Sequence, residues 1–241
     1  MARRIFDVLV AGSALALAAP VIAVGAVAVK LSSPGPAFYN AARIGLEGRL
    51  FRMFKLRTMH CREAAGSSIT SATDSRVFLV GRLLRLTKVD ELPQLWNIVR
   101  GDMSIVGPRP EAPDIVEHHY TDTYRESLDV LPGLTSPGSI YYYTHGEQIL
   151  AEDGADAEEL YVQRLLPQKM AIDLQYQRNA TLLADLRVIA TTAVVLFQKA
   201  LGRQNFPEPR NIPAPLPTKA AGETDSTTTS NPASFEVRRA A

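Results

Sequence analysis

The chain of 241 residues is long enough for one well-formed hydrophobic core, or for two small ones at most. Its formal net charge is +1, so no global field points to nucleic acid as a partner, and any electrostatic targeting must be local. The single cysteine, Cys61, excludes an intramolecular disulfide framework and is typical of a reducing compartment. Because it lies in a small, polar run, we interpret it as an incidental loop thiol rather than as a nucleophile.

The first element is an apolar segment, residues 8–29, which holds 22 residues and no charge. A membrane-spanning helix needs about 20 such residues. Three interpretations are open: a cleaved signal peptide that starts with Arg3 and Arg4, a spanning anchor, and a hairpin that enters the bilayer and leaves on the same side.

Charge on the two flanks favours the hairpin. Two arginines precede the apolar segment, and six basic residues follow it up to Arg57, opposed only by Glu47. Basic flanks tend to stay in the cytoplasm, and a straight span cannot satisfy both of them. Pro20 lies near the midpoint, where it removes a backbone hydrogen bond and kinks a helix, so a bent helix would return both ends to one face.

The next segment, residues 32–40, is rich in turn residues, and residues 49–59 then read as a strand or a short extended segment. Its side chains alternate, with Phe54 on one face and Lys55 on the other. A loop is expected from there to about Ser75.

Residues 77–86 have an apolar stripe at helical spacing and place Arg82 and Arg85 on one face. A second short helix follows, in which Pro93 is tolerated only in the first turn, so the helix should begin near Asp90 or Glu91. The simplest role for Asp90 is then that of a helix cap, which is worth about 1 kcal/mol.

Residues 158–201 look helical, with an interruption at Pro167. Residues 188–197 are uncharged but too few to span a bilayer, and a buried helix and an interfacial helix are both open. After Phe206 the chain is rich in Pro, Ser and Thr, which is typical of a disordered tail.

The adjacent acids Asp90 and Glu91 also admit a catalytic interpretation, because both carboxylates can reach one point at a helix end. Residues 76–109 hold six basic and three acidic side chains, a mixture that suits phosphate recognition. Carboxylates aimed at phosphates repel them unless a divalent cation lies between, and Mg²⁺ commonly uses one or two carboxylates plus substrate phosphates. The pattern indicates phosphoryl chemistry at the cytoplasmic membrane surface.

The run GRLLRLTKVDELPQLWNIVRGDMSIVGPRP, at residues 81–110, resembles the bacterial sugar transferases, the monotopic polyprenyl-phosphate phosphoglycosyl transferases. The runs RRIFDVLVA, SPGPAFYN and KLRTM are also similar to that family and occur in the same order. The resemblance covers roughly residues 3–200 and is most specific at residues 76–110.

The resemblance implies transfer of a sugar 1-phosphate from a UDP-sugar to undecaprenyl phosphate, with release of UMP. It makes Asp90 the nucleophile of a covalent phosphosugar intermediate, has Glu91 help to position Mg²⁺ and substrate, and gives Arg109 a phosphate to hold. Asp90 and Glu91 are the expected metal ligands. The expected partners are the UDP-sugar, undecaprenyl phosphate and a lipid bilayer, with no nucleic acid; a homodimer is left open.

Six basic residues are predicted to gather at this pocket: Lys55, Arg57, Arg76, Arg82, Arg85 and Arg109. For Arg82 and Arg85, contact with lipid headgroups is the alternative.

The predicted architecture is α/β and mostly helical. It has a re-entrant membrane helix at residues 1–30, a small catalytic domain with interfacial helices at residues 31–205, and a disordered tail at residues 206–241. The resemblance implies the bacterial inner (cytoplasmic) membrane, with the catalytic domain on the cytoplasmic face.

Two departures from the family pattern matter. Ala19–Pro20 stands where relatives have a Ser-Pro pair, so a hydroxyl that would satisfy the broken helix is missing. LPGLTSPGSIYYYTHGE, at residues 131–147, differs from the Gly-Trp-Ala-Gln-like run of many relatives, so the donor sugar is not predicted. The tyrosines at residues 141–143 are expected to pack, with stacking on uracil or a place at the headgroup level as alternatives.

Two rival functions stay open on the sequence. One is a non-catalytic membrane scaffold of a glycan-assembly complex, which predicts indifference to the substitution Asp90→Asn. The other is transfer of an alcohol phosphate from a CDP-activated donor, which would release CMP.

Overall fold

A computed structural model describes residues 2–61, 74–150, 157–209 and 212–218. Helices dominate these residues and two small two-stranded sheets accompany them, which confirms the prediction of a mostly helical α/β protein. In chain order the elements are α1 (Ala2–Ser32), β1 (Phe38–Ile44), β2 (Leu50–Leu56), α2 (Leu79–Thr87), α3 (Gln94–Arg100), β3 (Ser104–Val106), α4 (Pro113–His119), α5 (Asp122–Arg125), β4 (Gly133–Thr135), α6 (Pro137–Tyr141), α7 (Glu147–Leu150), α8 (Ala157–Leu160), α9 (Leu166–Arg178) and α10 (Leu182–Ala200). The predicted loop before Ser75 lies largely outside the described residues.

Helix α1 runs for 31 residues, includes Pro20, and is long and apolar enough to cross a membrane. Its buried residues are Asp7, Ala11, Gly25 and Val29. At about 100° per residue these four fall on one narrow face, which packs along the rest of the protein. Most of the remaining surface of α1 is apolar and exposed, as a lipid-facing surface would be.

Both ends of α1 are fastened to the same domain. At the start, Arg3 forms an ion pair with Asp185 of α10 at 2.8 Å. At the exit, the buried Arg57 guanidinium donates to the carbonyl oxygens of Ser33 at 2.7 Å and Pro36 at 2.6 Å. Neither end of the helix therefore leaves the domain.

The first sheet is an antiparallel hairpin in which Phe38 of β1 pairs with Leu56 of β2. The strand predicted at residues 49–59 is confirmed as β2. The side chain of Asn97, on α3, accepts from the Phe54 amide at 2.9 Å and donates to the Arg52 carbonyl at 2.8 Å. A side-chain amide thus takes the place of a third strand and fixes α3 at the edge of β2.

The second sheet pairs β3 and β4 in parallel, with Ser104 opposite Gly133. A Cβ atom on Gly133 would lie 2.2 Å from the amide nitrogen of Gly107. The two strands therefore need glycine at this contact, which positions the Pro108–Pro110 segment that follows β3.

Three hydrophobic clusters hold these elements together. One joins α4, α5 and α9 around Tyr124, Leu166 and Met170. Another places Ala11 of α1 against α3 and β3, and a third packs Val29 of α1 against β2 and α2. Helix α1 is therefore part of two of the three cores.

The predicted helix at residues 77–86 is observed as α2, and the interruption predicted at Pro167 is observed as a boundary between a π-helical turn, Tyr161–Leu165, and α9. Pro167 lies in the first turn of α9, where proline is tolerated, and the hydrogen-bond pattern changes at this point. A second break follows before Thr181, whose hydroxyl caps α10 by accepting from the Ala184 amide at 3.2 Å.

Helix α10 contains the uncharged run at residues 188–197. Val188 and Val195 are buried, whereas Val194 and Phe197 are exposed. One face of α10 therefore packs inward, and the other is an apolar surface open to the outside.

Part of the tail predicted to be disordered, residues 206–241, is ordered against the domain. Within residues 212–218 the Pro213 carbonyl accepts from the Gln168 side chain at 2.9 Å, and Leu216 packs against the cluster that contains Tyr124. These residues form no helix or strand and are held by backbone contacts and one apolar side chain, so a search for periodic patterns does not detect them. The rest of the tail lies mostly outside the described residues.

Candidate active site

The acid pair lies on a tight connection between two helices. Helix α2 ends at Lys88, which adopts a left-handed backbone conformation with φ 57°. A 3-10 turn, Val89–Glu91, follows, and both Asp90 and Glu91 are buried. Left-handed backbone in a residue other than glycine costs about 1 kcal/mol and is common at functional sites.

The prediction that Asp90 caps a helix is wrong. Helix α3 begins at Gln94, its N-cap residue is Pro93, and no side chain caps it. The 3-10 turn already supplies a helical approach to Pro93, so α3 needs no cap from Asp90. The carboxylate of Asp90 is therefore left for another use.

Glu91 is surrounded by cations. Its Oε1 accepts from Arg109 at 2.6 Å and lies 3.8 Å from the Lys88 Nζ and 3.9 Å from the Lys55 Nζ. Burial alone would raise the pKa of Glu91, but Arg109, Lys55 and Lys88 outweigh it and hold the pKa well below the ordinary value. Glu91 is ionised at any physiological pH.

Asp90 has the opposite character. Its Oδ1 is fully buried and has no hydrogen-bond partner among the described residues. Burial, together with the neighbouring Glu91 carboxylate, raises the pKa of Asp90 from 3.8 to about 6. A buried polar atom without a partner is costly, and beside a raised pKa and a cluster of cations it makes Asp90 a candidate for ligand binding or chemistry.

Arg109 and Tyr143 complete the wall opposite the acids. The Arg109 guanidinium donates to the Tyr143 hydroxyl at 3.1 Å, and the Lys88 ammonium lies 4.2 Å from the centre of the Tyr143 ring. Lys199 of α10 donates to the Tyr143 carbonyl oxygen at 2.7 Å. Tyr143 thus orders two of the cations that face Glu91.

Lys88 and Tyr143 were not among the predicted site residues. The spacing of Lys88 and Glu91, three residues apart before a helix, is a signal that would have found Lys88. The run of tyrosines at residues 141–143 was expected to pack, with stacking on uracil as an alternative. The contact of Tyr143 with Arg109 was missed because Tyr143 lies in a π-helical turn, Tyr142–Gly146, that is distant in sequence from the acid pair.

Of the six predicted basic residues, the structure brings Lys55 and Arg109 to the acid pair. Arg85 donates to the Thr58 hydroxyl at 2.8 Å and is close enough to favour ionised Asp90. Burial lowers the pKa of Lys55 to about 8, although Glu91 partly opposes this.

The other three lie elsewhere or are engaged by other groups. Arg57 is occupied at the exit of α1, and Arg76 forms an ion pair with Asp74 at 2.7 Å. Arg82 is exposed on α2. Their spacing of three residues predicted that Arg82 and Arg85 share one face of the helix, but only the Arg85 side chain points toward the domain.

Asp90 and Glu91 are the residues that could ligate Mg²⁺ at this site. No cluster of three or more His, Cys, Asp or Glu side chains occurs in the part of the chain that the structure describes. The unpartnered oxygen of Asp90, next to the carboxylate of Glu91, fits a metal that takes its other ligands from substrate phosphate and water. The donor set therefore suits Mg²⁺ only together with a phosphorylated substrate.

Comparisons with known proteins identify the family of the chain. The model of the bacterial sugar transferase family matches residues 1–199. The chain is 38% identical over 199 residues to a UDP-glucose:undecaprenyl-phosphate glucose-1-phosphate transferase of Caulobacter vibrioides, a match that covers 81% of this chain and 69% of the relative.

Two further relatives show the range of the family. A UDP-N-acetylgalactosamine-undecaprenyl-phosphate N-acetylgalactosaminephosphotransferase of Aeromonas hydrophila is 33% identical over 194 residues, which is 79% of this chain and 42% of the relative. The exopolysaccharide production protein ExoY of Rhizobium meliloti is 35% identical over 208 residues, which is 80% of this chain and 84% of the relative. On the extent of these matches, the chain belongs to the bacterial sugar transferase family, and the relatives from Caulobacter vibrioides and Aeromonas hydrophila are named as sugar-phosphate transferases.

Proposed function

We propose that this protein transfers a sugar 1-phosphate from a UDP-sugar to undecaprenyl phosphate and releases UMP, the first membrane step in assembly of an exopolysaccharide, O-antigen or glycoprotein glycan. The observation that carries the proposal is the buried, unpartnered carboxylate oxygen of Asp90 beside a cluster of cations. The names of the relatives support the donor and acceptor classes, and they differ in the sugar, so the sugar is left to experiment.

In the first step, an Asp90 oxygen attacks the phosphorus next to the sugar. An Asp90 O–P bond forms as the bond between that phosphorus and UMP breaks, and UMP leaves with the electron pair. In the second step, an oxygen of undecaprenyl phosphate attacks the same phosphorus, a diphosphate link forms, and the Asp90 carboxylate is released. A pKa near 6 leaves Asp90 ionised at neutral pH but more basic than an ordinary aspartate.

The remaining residues bind and orient phosphate. Lys55, Arg85, Lys88 and Arg109 face the two carboxylates, so the site carries an excess of positive charge that a diphosphate complements. Asp90 and Glu91 would hold Mg²⁺ with the donor phosphates, and when bound the metal neutralises charge on the phosphate oxygens.

The membrane setting in this proposal is monotopic. Helix α1 enters the bilayer and both of its ends return to the cytoplasmic face of the bacterial inner membrane. Support comes from the fastening of both ends to one domain, through Arg3 and Asp185 at the start and Arg57 and Ser33 at the exit. The exposed apolar face of α10 would rest on the same surface of the bilayer.

The decisive assay follows UMP release by purified protein with Mg²⁺, undecaprenyl phosphate and a panel of UDP-sugars that includes glucose and N-acetylgalactosamine donors. One donor should give UMP, and Asp90→Asn should give none, since an amide is a poor nucleophile. Release of CMP from CDP-activated alcohols, without release of UMP, would show that the donor is a CDP-activated alcohol and not a UDP-sugar. If wild type in intact membranes releases neither UMP nor CMP with any donor, the function as a non-catalytic membrane scaffold is favoured.

Topology has its own test. With Cys61 replaced by serine, single cysteines placed at residue 2 and at residue 203 should both react with an impermeant reagent added from the cytoplasmic side. Labelling of the two positions from opposite sides would rule out the re-entrant arrangement.

A further inference from the structure

An apolar groove of about 280 Å³ runs between α1 and the domain. It is lined by Leu15 and Ile22 of α1, Phe38 of β1, Phe54 of β2, and Pro93 and Trp96 at the start of α3. Five of the six side chains are wholly apolar and the sixth, Trp96, has a single N–H donor, so water inside the groove would find few hydrogen-bond partners on its walls.

The groove is open to the outside rather than enclosed by the domain. Phe38 is 45% exposed and Trp96 is 48% exposed, although both are large aromatic residues. Leu15 and Ile22 lie two turns apart on α1 and on either side of Pro20, the middle of the helix proposed to enter the bilayer. Hydrocarbon can therefore reach the groove from the membrane side.

The other end of the groove adjoins the acid pair. Pro93 follows Glu91 by two residues, and Phe54 immediately precedes Lys55, which lies 3.9 Å from Glu91. Because side chains alternate along β2, Phe54 faces the groove while Lys55 faces the acids. One strand and one turn thus present apolar groups on one side and phosphate-binding cations on the other.

We propose that this groove holds the first isoprene units of the polyprenyl-phosphate acceptor, with the phosphate of that lipid at the cation cluster. The inference rests on the proposed function, and it adds the site for the hydrocarbon part of the acceptor. Its basis is chemical complementarity: an anionic head next to a hydrocarbon chain needs cations beside an apolar trough, and the two occur here on neighbouring residues. The bulky Phe38, Phe54 and Trp96 rings fit a branched, unsaturated chain.

A matched pair of variants tests the groove through kinetics. Leu15→Phe fills the groove, whereas Leu17→Phe adds the same bulk on the exposed side of α1. Leu15→Phe should raise the KM for undecaprenyl phosphate about tenfold with little change in kcat, since the groove binds ground state and transition state alike. Leu17→Phe should leave both constants unchanged.

The donor half-reaction separates this proposal from the proposed function. UMP release in the absence of acceptor should be equal in wild type, Leu15→Phe and Leu17→Phe, which also shows that the variants fold. If UMP is released but both variants have the wild-type acceptor KM, the groove proposal is overturned while the proposed function stands.

Trp96 is the only tryptophan in the chain and reports on the groove directly. In nanodiscs of phosphatidylcholine, undecaprenyl phosphate should shift the Trp96 emission to shorter wavelength, in wild type and in Asp90→Asn, which cannot turn over. Phosphatidic acid, with an anionic head but straight acyl chains, should give no shift. An equal shift with both lipids would make the groove a site for bulk lipid, and no shift with either would leave it empty; each result overturns the proposal.

Discussion

Arg109 donates to Glu91 Oε1 across 2.6 Å, and this contact joins the Pro-Arg-Pro segment to the acid pair. The same guanidinium donates to the Tyr143 hydroxyl at 3.1 Å. Two partners on different elements therefore fix the plane of the guanidinium. A substrate phosphate meets a cation that is already oriented, so little conformational entropy is lost on binding.

Replacing Arg109 by lysine should lower kcat/KM for the UDP-sugar by about 100-fold, because a lysine ammonium cannot bridge two fixed partners and a phosphate at once. Steady-state UMP release gives the number. Arg49→Lys, at an exposed position, is the control and should behave as wild type. Wild-type kinetics in Arg109→Lys would remove Arg109 from the phosphate-binding site.

The hydroxyl and the ring of Tyr143 should contribute separately to kcat/KM. Tyr143→Phe removes only the hydroxyl that accepts from Arg109 and keeps the ring under Lys88, so we expect a fall in kcat/KM of about tenfold or less. Tyr143→Leu also removes the ring and should cost about tenfold more, since the cation–π contact is lost as well. Tyr39→Phe, at an exposed tyrosine, is the control. Equal activity in the two Tyr143 variants would mean that the ring does not order Lys88.

The raised pKa of Asp90 predicts a gain in stability for Asp90→Asn that depends on pH. The folded protein, with pKa about 6, holds this proton more tightly than the unfolded chain, with pKa 3.8. Asp90 therefore favours folding at low pH, and this contribution is lost as pH rises from about 4 to about 6. At pH 7.5 the free energy of unfolding of Asp90→Asn should exceed that of wild type by on the order of 2 kcal/mol, because the variant's amide is neutral.

The measurement is thermal or urea unfolding of both proteins in EDTA, so that no divalent metal stabilises the carboxylate. The advantage of Asp90→Asn should shrink at pH 5. Glu91 stays ionised over this range, and Asp173, whose pKa burial raises to about 6, titrates in both proteins and cancels. A constant difference between pH 5 and pH 7.5 would show that the pKa of Asp90 is not raised.

A buried ion pair behind Arg109 should matter for stability. Glu111, two residues after Arg109, forms an ion pair with Lys169 of α9, and both are almost fully buried. Lys169→Met leaves the Glu111 carboxylate buried without its cation and should cost about 3–5 kcal/mol. Adding Glu111→Leu should restore most of that loss, because the two apolar side chains then pack together.

The control for the buried pair is Arg178→Met, which breaks an exposed ion pair with Glu126. It should change stability by less than about 1 kcal/mol. The comparison uses unfolding midpoints of the four proteins under one condition. A Lys169→Met protein as stable as Arg178→Met would mean that Glu111 takes up a proton or water at little cost.

Patterns repeated along the chain made much of the fold predictable. The apolar stripe at residues 77–86 gave α2, and alternation gave β2, because both follow from the period of the backbone. The helix cap predicted at Asp90 was wrong, since it rested on a single residue and the 3-10 turn before Pro93 had already satisfied the backbone there. The interruption at Pro167 was predictable because proline cannot donate a backbone hydrogen bond within a helix.

Some residues of the candidate site were predictable from the sequence and others were not. Asp90, Glu91 and Arg109 were predictable because they lie within one short, distinctive run. Lys88 has its role because the backbone turns left-handed there, and Tyr143 because the π-helical turn after α6 brings its ring against the Lys88 ammonium. Contacts of this kind depend on tertiary packing, which one sequence does not reveal.

The most direct test of the central claim is the mass of the protein after incubation with Mg²⁺ and its UDP-sugar in the absence of undecaprenyl phosphate. Wild type should gain the mass of one sugar phosphate on the peptide that contains Asp90, and the added mass should disappear when undecaprenyl phosphate is supplied. Asp90→Asn should gain nothing. UMP release without an adduct, or an adduct that persists in Asp90→Asn, would contradict the assignment of Asp90 as the nucleophile.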